Sequence, residues 1–357
     1  MKKKITFVIG YMSNGGAERV ISVLANFLVK KGHDITILTI LGDKVDYDLD
    51  VNIKYLPLVS KHKSKVYRIL ERIIFIRKHT KSEDCDVIIS FLAQINIYSI
   101  IAHFFRKNTL VISERNDPNQ DPNSKLVRFI RDILYNFADK YVFQTEDCKL
   151  YFNPRIQKKS TIIFNPLKDN LPLPFSGDRR KVIVTAARLE PQKNLKMLID
   201  TFYYVHNKYP EYKLEIYGEG EQKKDLINYC IYLGIENSVL FKGYCTNLHE
   251  QIIDAAIFML SSNYEGISNS LIESLALGIP TISTDHPIGG AKMFIKNGFN
   301  GFLVPINDSE MASKKIFEII ENKDIETKIT QNAVIIRQTL NVEKITNEWE
   351  KYILRED

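Results

Sequence analysis

Short apolar runs alternate with longer segments in which apolar residues return every three or four positions, and this alternation recurs along most of the chain. Residues 5–9 predict a buried strand, and Val20, Leu24, Phe27 and Leu28 predict a helix over 17–31. Gly32-His33 ends that helix, and 34–40 predicts the next strand. The same pattern predicts strands at 87–91, 109–113, 141–144 and 161–164, with helices at 66–79 and 125–138. From Asn165 to Arg180 the period disappears, and Pro166, Pro172, Pro174 and Gly177 read as a linker. It then restarts, with strands at 181–187, 213–217, 239–242, 257–261, 281–284 and 301–304 and helices at 194–208, 221–233 and 270–277. Residues 310–357 are helical in pattern and carry the single tryptophan, Trp349. Two βα series predict an α/β protein with two doubly wound domains rather than one barrel. The division expected is 1–170, 171–338, and a terminal helix at 339–357 that crosses back to brace the first domain.

A length of 357 residues suits two such domains, and 45% hydrophobic with 26% charged residues is the balance of a soluble globular protein. The longest apolar runs, 87–92 and 252–260, fall short of the ~18 residues a membrane-spanning helix needs. The apolar stretch after Met-Lys-Lys-Lys is soon broken by Gly10 and Ser13-Asn14, which argues against a signal peptide. Cys85, Cys148, Cys230 and Cys245 are scattered, as expected of free thiols in a reducing cytoplasm. Charge is divided unevenly: residues 1–170 hold 28 Lys+Arg against 18 Asp+Glu, and the remainder 21 against 25. The first half is therefore expected to meet something anionic: nucleic acid, a membrane surface or an anionic lipid-linked substrate.

In open α/β sheets ligands bind at the carboxyl ends of strands, where helix N-termini offer unpaired N–H groups. Three strand-to-helix turns carry candidate chemistry. In Ser13-Asn14-Gly15-Gly16-Ala17-Glu18-Arg19, Gly15 and Gly16 either let the backbone approach a ligand or form a plain tight turn. The segment is not the G-x-G-x-x-G fingerprint, and the chain has no G-x-x-x-x-G-K-S/T loop. In Ala187-Arg188-Leu189-Glu190-Pro191-Gln192-Lys193-Asn194, Arg188 and Lys193 are either solvated loop cations or the fork and point charge that suit a departing diphosphate. In 265–273, Glu265 precedes a helix and Glu273 lies about one turn inside it, so both carboxylates can face one crevice. They fit sugar or ribose hydroxyls, with amides near Ser268, Asn269 and Ser270 for phosphate oxygens. A glycosidase acid–base pair is the other reading, and Glu273 could simply serve a helix N-terminus.

Taken together these segments are recognisable. GGAER at 15–19, ARLEPQKN at 187–194, the Glu-x7-Glu run at 265–273 and SLALGIPTISTD at 274–285 resemble a retaining glycosyltransferase of family 4. That resemblance implies the GT-B architecture, two facing Rossmann-like domains with an interdomain cleft. It implies that Arg188 and Lys193 hold the diphosphate, that Glu265 binds donor-sugar hydroxyls and that Glu273 grips the ribose. Gly266, Ser268, Asn269 and Ser270 would complete the donor contacts, with Gly15 and Gly16 approaching the phosphates or acceptor. The segment 241–245, with Tyr244, resembles the base-reading loop and favours a UDP-sugar. The implied reaction keeps anomeric configuration and needs no metal or other cofactor; Asp46-x-Asp48 lies in a polar loop and not after a strand.

The sequence departs from the family in Ala187, where many relatives have Gly, and in Met293, where they usually carry Glu. The usual first-domain histidine is also absent: the corresponding segment is Ser113-Glu114-Arg115-Asn116-Asp117-Pro118. Glu114 and Arg115 either take over its role or form a loop ion pair. This form resembles bacterial capsular, exopolysaccharide and O-antigen enzymes, which implies a polyprenyl-diphosphate-linked glycan acceptor. The basic, apolar segments 61–81 and 125–135 then suit an anionic membrane surface, placing the protein on the inner face of the plasma membrane. No aromatic-and-basic nucleic-acid motif is present, so no nucleic-acid partner is expected. A nucleotide-sugar epimerase and a non-catalytic sugar-nucleotide-binding module are the alternatives.

Overall fold

In the computed structural model, which describes residues 2–13 and 15–355, the chain forms two compact units. One comprises Met1–Pro166 with Val342–Asp357, and the other Leu167–Asn341.

The first unit is a parallel sheet with helices on its faces. Its elements are β1 (Lys4–Ile9), α1 (Gly16–Lys30), β2 (Asp34–Thr39), β3 (Lys54–Pro57), α2 (Lys65–His79), β4 (Val87–Phe91) and α3 (Ala93–His103). They continue with β5 (Thr109–Ser113), α4 (Lys125–Leu134), β6 (Lys140–Phe143), α5 (Glu146–Tyr151), α6 (Pro154–Lys158) and β7 (Ser160–Ile162). The sheet order is β3-β2-β1-β4-β5-β6-β7. Strands β1 and β4 lie at its centre, and β4 is buried along its whole length, as a strand covered on both faces must be. Helix α1 buries Val20, Leu24 and Leu28 of the stripe its spacing predicts, together with Ile21 and Ala25, while Phe27 is half-buried.

The second unit repeats the plan. It contains β8 (Arg180–Ala186), α7 (Leu195–Lys208), β9 (Lys213–Tyr217), α8 (Lys223–Leu233), β10 (Val239–Gly243), α9 (Leu248–Ile252) and β11 (Ala255–Leu260). Then follow α10 (Asn269–Ala276), β12 (Thr281–Thr284), β13 (Phe302–Val304), α11 (Ser309–Glu321), α12 (Lys323–Ala333) and α13 (Ile336–Thr339). The order β10-β9-β8-β11-β12-β13, all parallel, is that of a Rossmann fold.

The last helix, α14 (Val342–Leu354), returns to the first unit and braces it. Trp349 is fully buried and stacks on Phe91, with ring centroids 5.7 Å apart. Glu350 meets His33 Nε2 at 3.1 Å, and the Tyr352 hydroxyl donates to the Lys159 carbonyl at 2.6 Å. The proline-rich stretch expected as a linker is partly docked on the second unit. Leu167 N donates to Leu340 O at 3.0 Å, and an Arg337 guanidinium N–H donates to the Pro172 carbonyl. Residues 356–357 of the expected terminal helix lie outside the described residues.

Candidate active site

In the second unit the chain builds outward from β8 in both directions, so the loops leaving the carboxyl ends of β8 and β11 diverge there. That divergence opens a crevice where doubly wound sheets take their ligands. The two loops are stitched together. Ser261 Oγ donates to Lys193 O at 2.8 Å, Asn263 N to Gln192 O at 2.8 Å and Gln192 Nε2 to Tyr264 O at 2.9 Å. Asn194, in the left-handed region at φ 46°, caps α7 and donates to Asn263 Oδ1 at 3.0 Å and Asn307 Oδ1 at 2.7 Å. Behind the first loop stands Gly218 at φ 132°, where a Cβ would lie 2.0 Å from the Ala187 carbonyl oxygen. Glycine there allows the close approach.

Within this frame Lys193 and Glu265 meet. Lys193 Nζ donates to Glu265 Oε1, and the two side chains are only 13% and 10% exposed. Ser262 Oγ also donates to Oε1, at 2.9 Å, and Gln192 Nε2 reaches Oε2 at 3.4 Å. Burial alone would raise the Glu265 pKa; the ammonium of Lys193, its hydrogen bond, and lesser contributions from His286 and Ser262 outweigh it and hold the carboxyl below its ordinary value. Glu265 is therefore an anion at neutral pH. His286, on the turn after β12, is 2% exposed; its Nδ1 lies 3.1 Å from the Pro287 carbonyl, while its Nε2 has no hydrogen-bond partner among the described residues. Burial pushes its pKa down, so the ring is neutral at pH 7. A Cβ at Gly290 would fall 1.6 Å from the Gly266 carbonyl oxygen, so only glycine lets this turn lie against the Glu265–Gly266 loop.

The other expected residues are distributed around this pair. Arg188 is 65% exposed and its Nη1 donates to Glu190 Oε1 at 3.0 Å; it does not touch Glu265. Glu273, in α10, is buried and paired with His249 Nε2 at 2.9 Å. The two carboxylates and two cations thus form separate pairs, and only Lys193 and Glu265 bond to one another. Ser268 caps α10 by accepting from Leu271 N at 3.4 Å, and its hydroxyl lies 3.1 Å from that of Ser270, with Asn269 opening the helix. Tyr244 is exposed just beyond β10. In the first unit Gly15 precedes α1 with φ −101°, an angle open to any residue, and its carbonyl accepts from the Tyr47 hydroxyl at 2.8 Å. Gly16 begins the helix, while Asn14 of the same turn lies outside the described residues.

Glu114 and Arg115 do not form a side-chain ion pair. Glu114 Oε2 accepts from the Tyr135 hydroxyl at 2.8 Å, and Oε1 accepts from the Arg115 backbone N–H at 3.1 Å. Burial lifts the Glu114 pKa to about 7, against the opposing pull of Arg131. Arg115 lies over the Phe91 and Trp349 rings, 4.2 and 5.5 Å from their centroids, and Nη1 donates to Asn165 Oδ1 at 2.9 Å.

The model of Glycosyltransferase Family 4 matches residues 14–170, and that of Glycosyl transferases group 1 matches 174–334. The chain belongs to the family 4 glycosyltransferases. Among curated relatives it is similar to the Campylobacter jejuni enzyme named GalNAc-alpha-(1->4)-GalNAc-alpha-(1->3)-diNAcBac-PP-undecaprenol alpha-1,4-N-acetyl-D-galactosaminyltransferase, at 29% identity covering 98% of both chains. A second enzyme of that organism, N-acetylgalactosamine-N,N'-diacetylbacillosaminyl-diphospho-undecaprenol 4-alpha-N-acetylgalactosaminyltransferase, is 27% identical over 99% of this chain and all of its own. Among solved structures, HepE of Anabaena in complex with UDP and glucose superposes with TM-score 0.83 at 18% identity, covering 98% of both chains, and shares the fold. In the sequence of this glycosyltransferase, His249 and the Asn263 and Asn307 partners of Asn194 belong to none of the motifs singled out. Only their positions beyond strand ends could have signalled them.

Proposed function

We propose that this glycosyltransferase moves a hexose or N-acetylhexosamine from a UDP-sugar to a glycan carried on a polyprenyl diphosphate, with retention at the anomeric carbon, in surface polysaccharide assembly. The observation that carries this reading is the buried Lys193–Glu265 pair at the switch point of the second sheet. A fixed ammonium held largely out of water is suited to charge that develops on a departing phosphate. Glu265, kept ionised by its neighbours, accepts hydrogen bonds from donor-sugar hydroxyls. Arg188 adds a second cation, since its exposed pair with Glu190 is worth little and exchanges readily for a phosphate. Glu273, oriented by His249, takes the ribose hydroxyls, and the capped start of α10 faces phosphate oxygens.

With these cations neutralising the diphosphate, the reaction runs without a metal. The bond to the anomeric carbon breaks to give a short-lived oxocarbenium-like ion pair. The departing phosphate oxygen then accepts the proton of the acceptor hydroxyl as that oxygen attacks from the same face. The named acceptors of the Campylobacter relatives support a lipid-linked glycan here.

Residence at an anionic membrane surface, on the cytoplasmic side, belongs to the same proposal. No helix among the described residues is long and apolar enough to cross a membrane. Instead α4 is inverted: its one buried residue is Arg131, while Leu126, Phe129, Ile130 and Ile133 are exposed beside Lys125 and Arg128. An apolar ridge with flanking cations suits lipid headgroups.

The test is transfer from UDP-sugars to a polyprenyl-diphosphate glycan, read by mass. Glu265→Gln keeps the shape of the site and removes the carboxylate, and is expected to lower turnover by at least ~100-fold with the fold intact. Near-normal turnover in a folded Glu265→Gln protein contradicts the assignment.

A further inference from the structure

The first unit holds a buried cation, Arg115, that forms no salt bridge among the described residues. Arg115 follows β5, is 9% exposed, and stacks on Phe91 from the end of β4 and on Trp349 from α14. One edge of its guanidinium is used, through Nη1, by Asn165, which also accepts from Gln144 Nε2 at 2.7 Å. The other edge is not: Nε and Nη2 are buried and have no hydrogen-bond partner among the described residues. These two N–H groups lie side by side in one plane, the geometry that clamps two oxygens of a phosphate or carboxylate at once. Burial lowers the Arg115 pKa to about 9, so the group remains a cation at neutral pH. The adjacent residue, Glu114, whose carboxyl is lifted to about 7, supplies only part of a negative charge there.

A second arginine lies in the same neighbourhood. Arg19, from the first turn of α1, donates from Nη2 to the carbonyl of Pro166 at 3.4 Å, and Pro166 directly follows the Asn165 that holds Arg115. The ends of β4, β5, β6 and β7 therefore gather two guanidiniums beside neutral amides. A buried charge is costly unless it is paired, and hydrogen-bond donors left unmet add to that cost.

We infer that the Nε/Nη2 edge of Arg115 binds a phosphate group of a substrate, with Arg19 adding positive potential. This rests on the proposed reading only in supplying the source of the phosphate, which is the diphosphate of the nucleotide sugar or that of the lipid-linked acceptor. The aromatic rings set the guanidinium plane and exclude water from it, which strengthens the contact.

The experiment uses the full chain and measures binding of inorganic pyrophosphate by calorimetry to wild type, Arg115→Met, Arg115→Lys and Lys193→Met. Methionine keeps an apolar stem against the rings, and lysine keeps the charge but loses the planar fork. Arg115→Met is expected to lose one class of pyrophosphate site, with affinity weakened at least ~10-fold, and Arg115→Lys to recover it in part. Lys193→Met should retain that class. In transfer assays, a raised KM for the nucleotide sugar alone identifies the donor as the source, and a raised KM for the lipid-linked acceptor alone identifies the acceptor. A folded Arg115→Met protein with wild-type pyrophosphate binding and both KM values unchanged overturns the inference. If Arg115→Met does not fold, unaltered binding by Arg115→Lys overturns it instead. Absence of transfer by the wild type would sink the proposed function while leaving the pyrophosphate isotherms to decide the role of Arg115.

Discussion

Glu114 shows how one buried side chain can set a pH dependence. Its carboxyl accepts from Tyr135, whose hydroxyl also accepts from Asn96 Nδ2 at 2.8 Å, and burial lifts its pKa to about 7. A raised carboxyl pKa favours the folded state while the group is protonated. Its stabilising effect is complete below the unfolded pKa near 4.3 and is lost as pH rises towards 7, on the order of 3 kcal/mol in all. Stability of wild type against urea is therefore expected to fall as pH rises across this window, and Glu114→Gln is expected to flatten that part of the profile. An unchanged slope in Glu114→Gln contradicts the linkage. Lys193 and Glu265 were legible from sequence because each follows a buried strand. Their direct pairing was not, since Arg188 has the same sequence credentials and instead turns to Glu190.

Helices show which patterns sequence carries. Those with one buried stripe, such as α1, were read correctly. Helix α3 was not predicted, because Ile95, Ile97, Tyr98, Ile100 and its other buried residues surround the axis and leave no stripe to detect. Strand β3, short and ending in Pro57, also gave no signal. Helix α4 departs from the core-facing pattern in the opposite way: its apolar stripe, which the sequence suited to an anionic membrane surface, points outward. Arg131 points in, donating to Pro118 O at 2.8 Å and to the Tyr151 hydroxyl at 3.0 Å. Because Phe129 and Ile133 are exposed, replacing both with serine should leave the unfolding temperature nearly unchanged. Co-sedimentation with anionic vesicles should nevertheless fall by about tenfold or more, as each residue gives up apolar area that lipid would cover. Equal sedimentation of variant and wild type, or equal binding of wild type to neutral vesicles, would remove the membrane-facing role.

At the scale of the molecule, two Rossmann-like units repeat one strand order, and the return of α14 to the first is anchored by Trp349 on Phe91. The doubled βα series made this architecture legible. Where the chain leaves the first unit was less so, because Leu167 is tied to Leu340 by a backbone hydrogen bond that no sequence pattern announces. The chemistry proposed for the second unit is tested most directly by the stereochemistry of its product. Purified protein would be given α-linked UDP-sugars and a polyprenyl-diphosphate glycan in the presence of a metal chelator, and the new linkage read by proton NMR. An α-linked glycan lipid formed at full rate is the result expected. A β-linkage, an epimerised donor, or dependence on added metal would contradict it.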